Sequence, residues 1–84
     1  MSDQVDIGPL RDAFLHSGLS ASEVCCWLEW YRSDGGPDTS RLRRTLGLLP
    51  ITSHGRSVCA QRIGIDRAAL IADALSVDPW EVGI

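Results

Sequence analysis

The chain has 84 residues, of which 44% are hydrophobic and 23% are charged, and its net charge is −3 at neutral pH. This length excludes two separate cores, and the composition excludes a disordered chain. No apolar run is long enough to cross a bilayer, and the first residues lack the pattern of a signal peptide. We therefore expect a cytoplasmic, single-domain protein over residues 1–84, with a flexible N-terminus over residues 1–8 and no membrane partner.

The charges are unevenly distributed along the chain. Six of the eight basic residues, all arginines, lie between Thr39 and Arg67, where Asp66 is the only acid. Such segregation is typical of a surface that binds phosphate, even in a protein that is acidic overall.

Two helices are predicted before the arginine-rich stretch. Pro9 suits a first helical position, and Gly18 favours the end of that helix. A capping box formed by Ser20 and Glu23 begins the second helix. The apolar residues of the second helix share one face, namely Val24, Trp27, Leu28 and Tyr31.

The three tryptophans have different expected environments. Trp27 lies on the apolar face of the second helix and is expected in the core. Trp30 lies off that face and Trp80 is near the C-terminus, so we expect either of these to cover an apolar surface or to contact a partner.

A third helix is predicted after the loop that covers residues 33–37. Asp38 suits its N-cap, Leu42 and Leu46 are expected to be buried, and Gly47 favours its end. Its remaining residues point away from the leucines, and several of these are basic.

The rest of the chain predicts a hairpin and two further helical segments. Residues 51–52 and 58–63 can pair as a short hairpin around residues 53–56. Asp66 is expected to cap a fourth helix, whose predicted core residues are Leu70, Ile71, Ala74 and Leu75. Asp78 and Glu81 form a capping box for a final helical turn. We therefore predict a compact all-α domain of four to five helices, with room for a short β-hairpin between the third and fourth.

A capped helix followed by a basic capped helix is typical of a helix-turn-helix reader of DNA. Thr39 and Ser40 carry hydroxyls that can donate to phosphate or base, and an arginine can grip guanine with two hydrogen bonds. The alternative is a solvated surface helix whose arginines pair with acids. That alternative is weakened because no acid lies three or four residues from Arg43 or Arg44.

His54, Arg56 and Arg62 lie in the non-helical stretch that follows the third helix. They can act as a wing that reaches a flanking phosphate or a minor groove. A flexible basic surface loop is the alternative.

Two segments resemble a known family. Gly18-Leu19-Ser20-x-x-Glu23-Val24-Cys25-x-x-Leu28 resembles the first helix of the lambda-repressor/Cro-like helix-turn-helix family, and residues 65–79 resemble its closing helix and tail. The whole chain is similar to small helix-turn-helix proteins of actinobacterial phages and prophages. The resemblance implies sequence-specific binding of double-stranded DNA by a transcription regulator, repressor or activator. It also implies a homodimer in the cytoplasm of the host cell.

The chain departs from the family pattern at several positions. Glu29 stands where the family usually has glycine, and Cys25 stands where it usually has alanine. The connection over residues 31–37 is longer than the family's turn. Ala21 replaces a glutamine that often binds phosphate, which leaves that contact to Ser20 or Ser22.

The predicted DNA-binding residues share side chains that can donate a hydrogen bond. They are Ser20, Ser22, Thr39, Ser40, Arg41, Arg43, Arg44, His54, Arg56 and Arg62.

Other chemistries are poorly supported by the sequence. Cys25, Cys26 and Cys59 fit neither a disulfide framework nor a zinc site. No nucleophile with a base, carboxylate dyad or phosphate-binding glycine loop has a usable spacing. We therefore expect no enzyme activity, metal, cofactor or small-molecule substrate. The alternative function is a protein-interaction module that binds a host protein through the acidic N-terminal half and exposed tryptophans.

Overall fold

The computed structural model describes residues 3–84, apart from the side chain of Ser53. Within this range the helices are α1 (Gly8–Ser17), α2 (Ala21–Leu28), α3 (Thr39–Thr45), α4 (Ile65–Ala74) and a final 3-10 helix (Pro79–Val82). The strands are β1 (Gln4–Asp6), β2 (Ile51–Ser53), β3 (Arg56–Val58) and β4 (Arg62–Gly64).

The predicted all-α class is wrong, because two small antiparallel sheets stand beside the helices. β1 pairs with β4, and Val5 lies opposite Ile63. Each strand has three residues, too few to show an alternating pattern, and the two partners lie far apart in the chain. Residues 4–6 therefore form a strand where we expected a flexible N-terminus, and residues 1–2 lie outside the described range.

The hairpin expected after the third helix is formed by β2 and β3. His54 and Gly55 make its two-residue turn with φ values of 52° and 76°, and positive φ at both positions matches the twist of an antiparallel pair. The second arm is shorter than expected, since it ends at Val58. Residues 62–64 instead pair with β1 as β4.

Most of the predicted helix ends are confirmed. The Ser20 hydroxyl accepts from the Glu23 N–H at 3.1 Å, and the Asp38 carboxylate accepts from the Arg41 N–H at 3.2 Å. The final capping box of Asp78 also forms. The predicted Asp66 cap is wrong, because α4 begins two residues earlier than that cap implies, with Gly64 at its N-cap and no capping side chain.

One hydrophobic core joins the helices and β4. Leu42 and Leu46 are fully buried as predicted, and so is Ile71. The prediction for Leu70 is wrong, since 58% of its surface is exposed. The other predicted core residues of this helix, Ala74 and Leu75, are buried, and Ala68 and Ala72 complete the side that faces the core.

The assignment of Trp27 and Trp30 is reversed relative to the sequence prediction. Trp27 is 69% exposed, whereas Trp30 is 8% exposed. Trp30 is buried because α2 ends just before it, at Glu29, which adopts a left-handed conformation with φ 59°. The Trp30 N–H then donates to the Cys25 carbonyl, and the chain turns so that Trp30 packs inward. Trp27 lies within α2 but outside its buried stripe of Ala21, Val24 and Cys25, so the apolar face predicted for this helix selects the wrong tryptophan.

Candidate nucleic-acid interface

The long connection between α2 and α3 is a closed excursion of the backbone. The Asp38 N–H donates to the Trp30 carbonyl at 2.9 Å, and the Arg32 N–H donates to the Gly36 carbonyl at 2.7 Å. Residues 31–37 therefore fold back on themselves in the manner of a small hairpin. The start of α3 lies next to the end of α2 in spite of the number of residues between them.

A second contact holds the start of α3 against α2. The Cys25 thiol of α2 donates to the Asp38 carbonyl at 3.3 Å. Burial, followed by the nearby negative charge of Asp38, raises the pKa of Cys25 above its ordinary value. The thiol therefore stays protonated and serves as a structural donor.

The burial of Leu42 and Leu46 decides which arginines of α3 share a side. Successive helical residues are rotated by about 100°, so Arg44 lies opposite the two leucines, towards solvent, and Arg41 and Thr45 lie on one flank. Arg43 lies on the other flank. The arginines of α3 therefore do not act as a single row.

Four arginines from three elements line one concave surface with a volume of about 380 Å³. Arg41 and Arg44 come from α3, Arg62 from β4 and Arg67 from α4. We call this surface the arginine groove. Gln4 of β1 also lines it, so the pairing of β1 with β4 helps to shape it.

No carboxylate of residues 3–84 lies within ion-pair distance of the arginines that line the arginine groove. In the described part of the chain the one ion pair is between Arg32 and Asp34, at 3.4 Å and away from the groove. The N-terminus of α4 adds partial positive charge, since Gly64 and Arg67 both line the groove. Such a surface attracts anions, because four guanidinium groups lie together and none of them forms an ion pair with a described carboxylate.

A second depression adjoins the arginine groove and shares Arg41, Gly64 and Arg67 with it. Its volume is about 530 Å³, and Trp30, Asp66 and Leu70 complete its lining. We call it the Trp30 depression. The guanidinium carbon of Arg41 lies 4.2 Å from the centre of a Trp30 ring, an attractive cation–π distance. This contact holds Arg41 at the junction of the two surfaces.

The sequence prediction missed Trp30 and Arg67 as site residues. Arg67 belongs to the arginine-rich stretch, and that charge pattern was the one available signal for it. Trp30 gave no local signal, because its position depends on the left-handed Glu29 and on the fold of α3 across α2.

Several predicted site residues lie outside both concave surfaces. Arg43 is exposed but lines neither of them. His54 and Arg56 are exposed on the β2–β3 hairpin, which contributes Ile51 alone to the groove. Arg62 is the member of the predicted wing that reaches the arginine groove.

The hydroxyl residues at the two helix starts differ in their engagement. The Ser20 hydroxyl caps α2 and also donates to the Glu23 carboxylate at 3.2 Å. Ser22 and Ser40 are exposed, and Thr39 is half-buried at the start of α3. Ser40 therefore has the more accessible hydroxyl of the two that begin α3.

Comparison of the chain with protein-family models, curated proteins and solved structures found no match. In the described residues there is no group of three or more side chains that could hold a metal ion. No helix in that range is long and apolar enough to cross a membrane.

Proposed function

We propose that this protein binds double-stranded DNA through α3 and the arginine groove. The observation that carries the proposal is the convergence of four arginines on one surface, where none of them forms an ion pair within the described residues; they are Arg41, Arg44, Arg62 and Arg67. Guanidinium groups bind phosphate oxygens with paired hydrogen bonds, and phosphate contacts supply most of the affinity of a protein for DNA.

The closed excursion supports a helix-turn-helix arrangement. It keeps the start of α3 against α2, and the exposed Ser40 hydroxyl and the outward Arg44 then face a bound duplex. The exposed Arg43 is the candidate base reader on the opposite flank, and His54 and Arg56 extend the basic surface along the hairpin. A homodimeric phage or prophage transcription regulator in the host cytoplasm is the role that we propose for this binding.

The test measures binding to a labelled duplex of random sequence over a salt series. We expect affinity to fall steeply between about 50 and 200 mM salt, and each of Arg44→Ala and Arg62→Ala to reduce the slope by about one. Arg32→Ala is the matched control, because Asp34 already balances that charge. Absence of binding at low salt, or an unchanged slope in the Arg44→Ala, Arg62→Ala double variant, would contradict the proposal.

Sequence specificity needs a separate measurement. Selection from a random duplex library should yield a preferred sequence, and Arg43→Ala should relax the preference at about one base pair. If the native protein enriches no sequence from the library, it binds DNA independently of sequence, and the proposed base reading is wrong.

The second candidate function is a protein-interaction module, and the exposed tryptophans favour it. Trp27 is 69% exposed and Trp80 is 74% exposed, which is unusual for large aromatic side chains. Loss of binding to a purified host partner in Trp27→Ala and Trp80→Ala, without any affinity for DNA at low salt, would favour this candidate.

A further inference from the structure

The arginine groove and the Trp30 depression adjoin each other but differ in chemistry. The arginine groove is strongly cationic, whereas the Trp30 depression combines an arginine-covered indole, the apolar side chain of Leu70 and the carboxylate of Asp66. Volumes of about 380 and 530 Å³ lie in the range of sites for small ligands. Two such surfaces in contact fit a ligand with one highly anionic end and one flat, uncharged end.

We propose that the two surfaces together form a binding site for a nucleoside polyphosphate. The phosphates occupy the arginine groove, and the base lies in the Trp30 depression. This inference rests on the DNA binding proposed above. Because the ligand occupies the same arginines as DNA, it regulates DNA binding by competition.

The Arg41 guanidinium is the group that joins the two ends of the ligand. Its guanidinium carbon lies 4.2 Å from the centre of a Trp30 ring, and Trp30 is only 8% exposed, so a base has little access to the indole itself. A base can instead stack on the other face of the guanidinium plane, as bases do on arginines in nucleic-acid complexes. The guanidinium edge remains able to donate to a phosphate.

Leu70 and Asp66 distinguish the base end from the phosphate end. Leu70 is 58% exposed and is not part of the hydrophobic core, so its side chain is available for apolar contact with a base. The Asp66 carboxylate repels phosphate but accepts hydrogen bonds from ribose hydroxyls or an exocyclic amine. The charge pattern therefore orients the ligand in one direction.

The test compares three probes by calorimetry in the presence of a metal chelator: ATP, inorganic tripolyphosphate and adenosine. We expect ATP to bind about tenfold more tightly than tripolyphosphate, a gain consistent with one stacked base, and adenosine to bind too weakly to detect. GTP and CTP extend the series and show whether the base end prefers a purine.

Two variants separate the two ends of the site. Arg44 lines the arginine groove but not the Trp30 depression, so Arg44→Ala should weaken the binding of ATP and of tripolyphosphate equally. Leu70 lines the Trp30 depression but not the arginine groove, so Leu70→Ser should weaken the binding of ATP and leave the binding of tripolyphosphate unchanged. Arg32→Ala is the control for net charge.

Equal binding of ATP and tripolyphosphate, or no binding of either, would overturn the proposal. Because these titrations contain no DNA, they succeed or fail independently of the proposed DNA binding. Displacement of a labelled duplex by ATP at a lower concentration than by tripolyphosphate would support the regulatory role. ATP binding without any displacement would overturn that role.

Discussion

The backbone N–H of Asp38 donates to the carbonyl of Trp30 across 2.9 Å, so the two ends of the connection between α2 and α3 meet. Residues 31–37 therefore lengthen the connection without moving the start of α3 away from the end of α2. Trp30 also packs under Arg41, whose guanidinium carbon lies 4.2 Å from the ring centre. One aromatic residue therefore closes the connection through its backbone and supports the arginine groove through its side chain.

Shortening this excursion should preserve the fold. Replacement of residues 33–35 by Asn-Gly keeps the Arg32 N–H bonded to the Gly36 carbonyl and keeps Tyr31 opposite Pro37, the pair that bridges its two arms. We expect the free energy of unfolding to change by less than about 1 kcal/mol, because loop length contributes weakly to closure entropy. Urea denaturation measures this change. A loss of several kcal/mol would show that the excursion itself stabilises α3.

Replacement of Glu29 by glycine should stabilise the protein. Glu29 has φ 59°, a left-handed conformation that costs a residue with a side chain roughly 1–2 kcal/mol. Part of this gain is offset by the greater freedom of glycine in the unfolded chain, so we expect about 0.5–1 kcal/mol in urea denaturation. Glu29→Ala is the control and should give no gain, because alanine keeps the strain.

Gly47 and Gly18 provide a matched pair for the cost of a close approach. Both have positive φ, but a Cβ on Gly47 would lie 2.6 Å from the Ala60 carbonyl oxygen, whereas a Cβ on Gly18 meets nothing within 4 Å. We expect Gly47→Ala to cost about 2–4 kcal/mol and Gly18→Ala about 1–2 kcal/mol in the same unfolding measurement. Equal costs would argue against tight packing between Gly47 and residue 60.

Fluorescence quenching should separate the tryptophans by their burial. Acrylamide should quench Trp27 and Trp80 efficiently and Trp30 poorly, since Trp30 alone of the three is buried. In the double variant Trp27→Phe, Trp80→Phe, the remaining emission should be shifted to shorter wavelength and resist the quencher. Efficient quenching of that variant would contradict the position of Trp30.

Thiol labelling should distinguish Cys25 from the other two cysteines. Cys26 and Cys59 are exposed and should react in the folded protein, whereas Cys25 is buried and its raised pKa leaves little thiolate. All three should react in urea. Rapid reaction of three thiols in the folded protein would contradict the packing of α2 against α3.

The same shift predicts the direction of a pH effect on stability. The unfolded chain releases the Cys25 proton near its ordinary pKa, while the folded chain keeps it to higher pH. The free energy of unfolding should therefore be insensitive to this group at neutral pH and fall as the pH rises above about 8.5. Cys25→Ala should show a smaller fall over that interval.

Local signals predicted the helices well and the sheets poorly. The Ser20 and Asp38 caps and the burial of Leu42 and Leu46 depend on residues within one or two helical turns, so a single segment carries the information. The pairing of β1 with β4 joins two three-residue segments from distant parts of the chain. Neither segment has a pattern of its own.

The candidate site shows the same division. The concentration of six arginines in one stretch, and the place of Arg41 and Arg44 on a capped helix, follow from the sequence alone, because charge and capping are local properties. Tertiary contacts were needed to bring Arg62 and Arg67 to the same surface, whereas the helical period of α3 already separates Arg43 from Arg41. The tertiary structure also decided that Trp30 rather than Trp27 is buried. Arg62 is placed by the pairing of β1 with β4, and Trp30 is placed by the left-handed turn at Glu29. Neither position follows from the periodic pattern of a single segment, because each depends on where the chain goes after that segment ends.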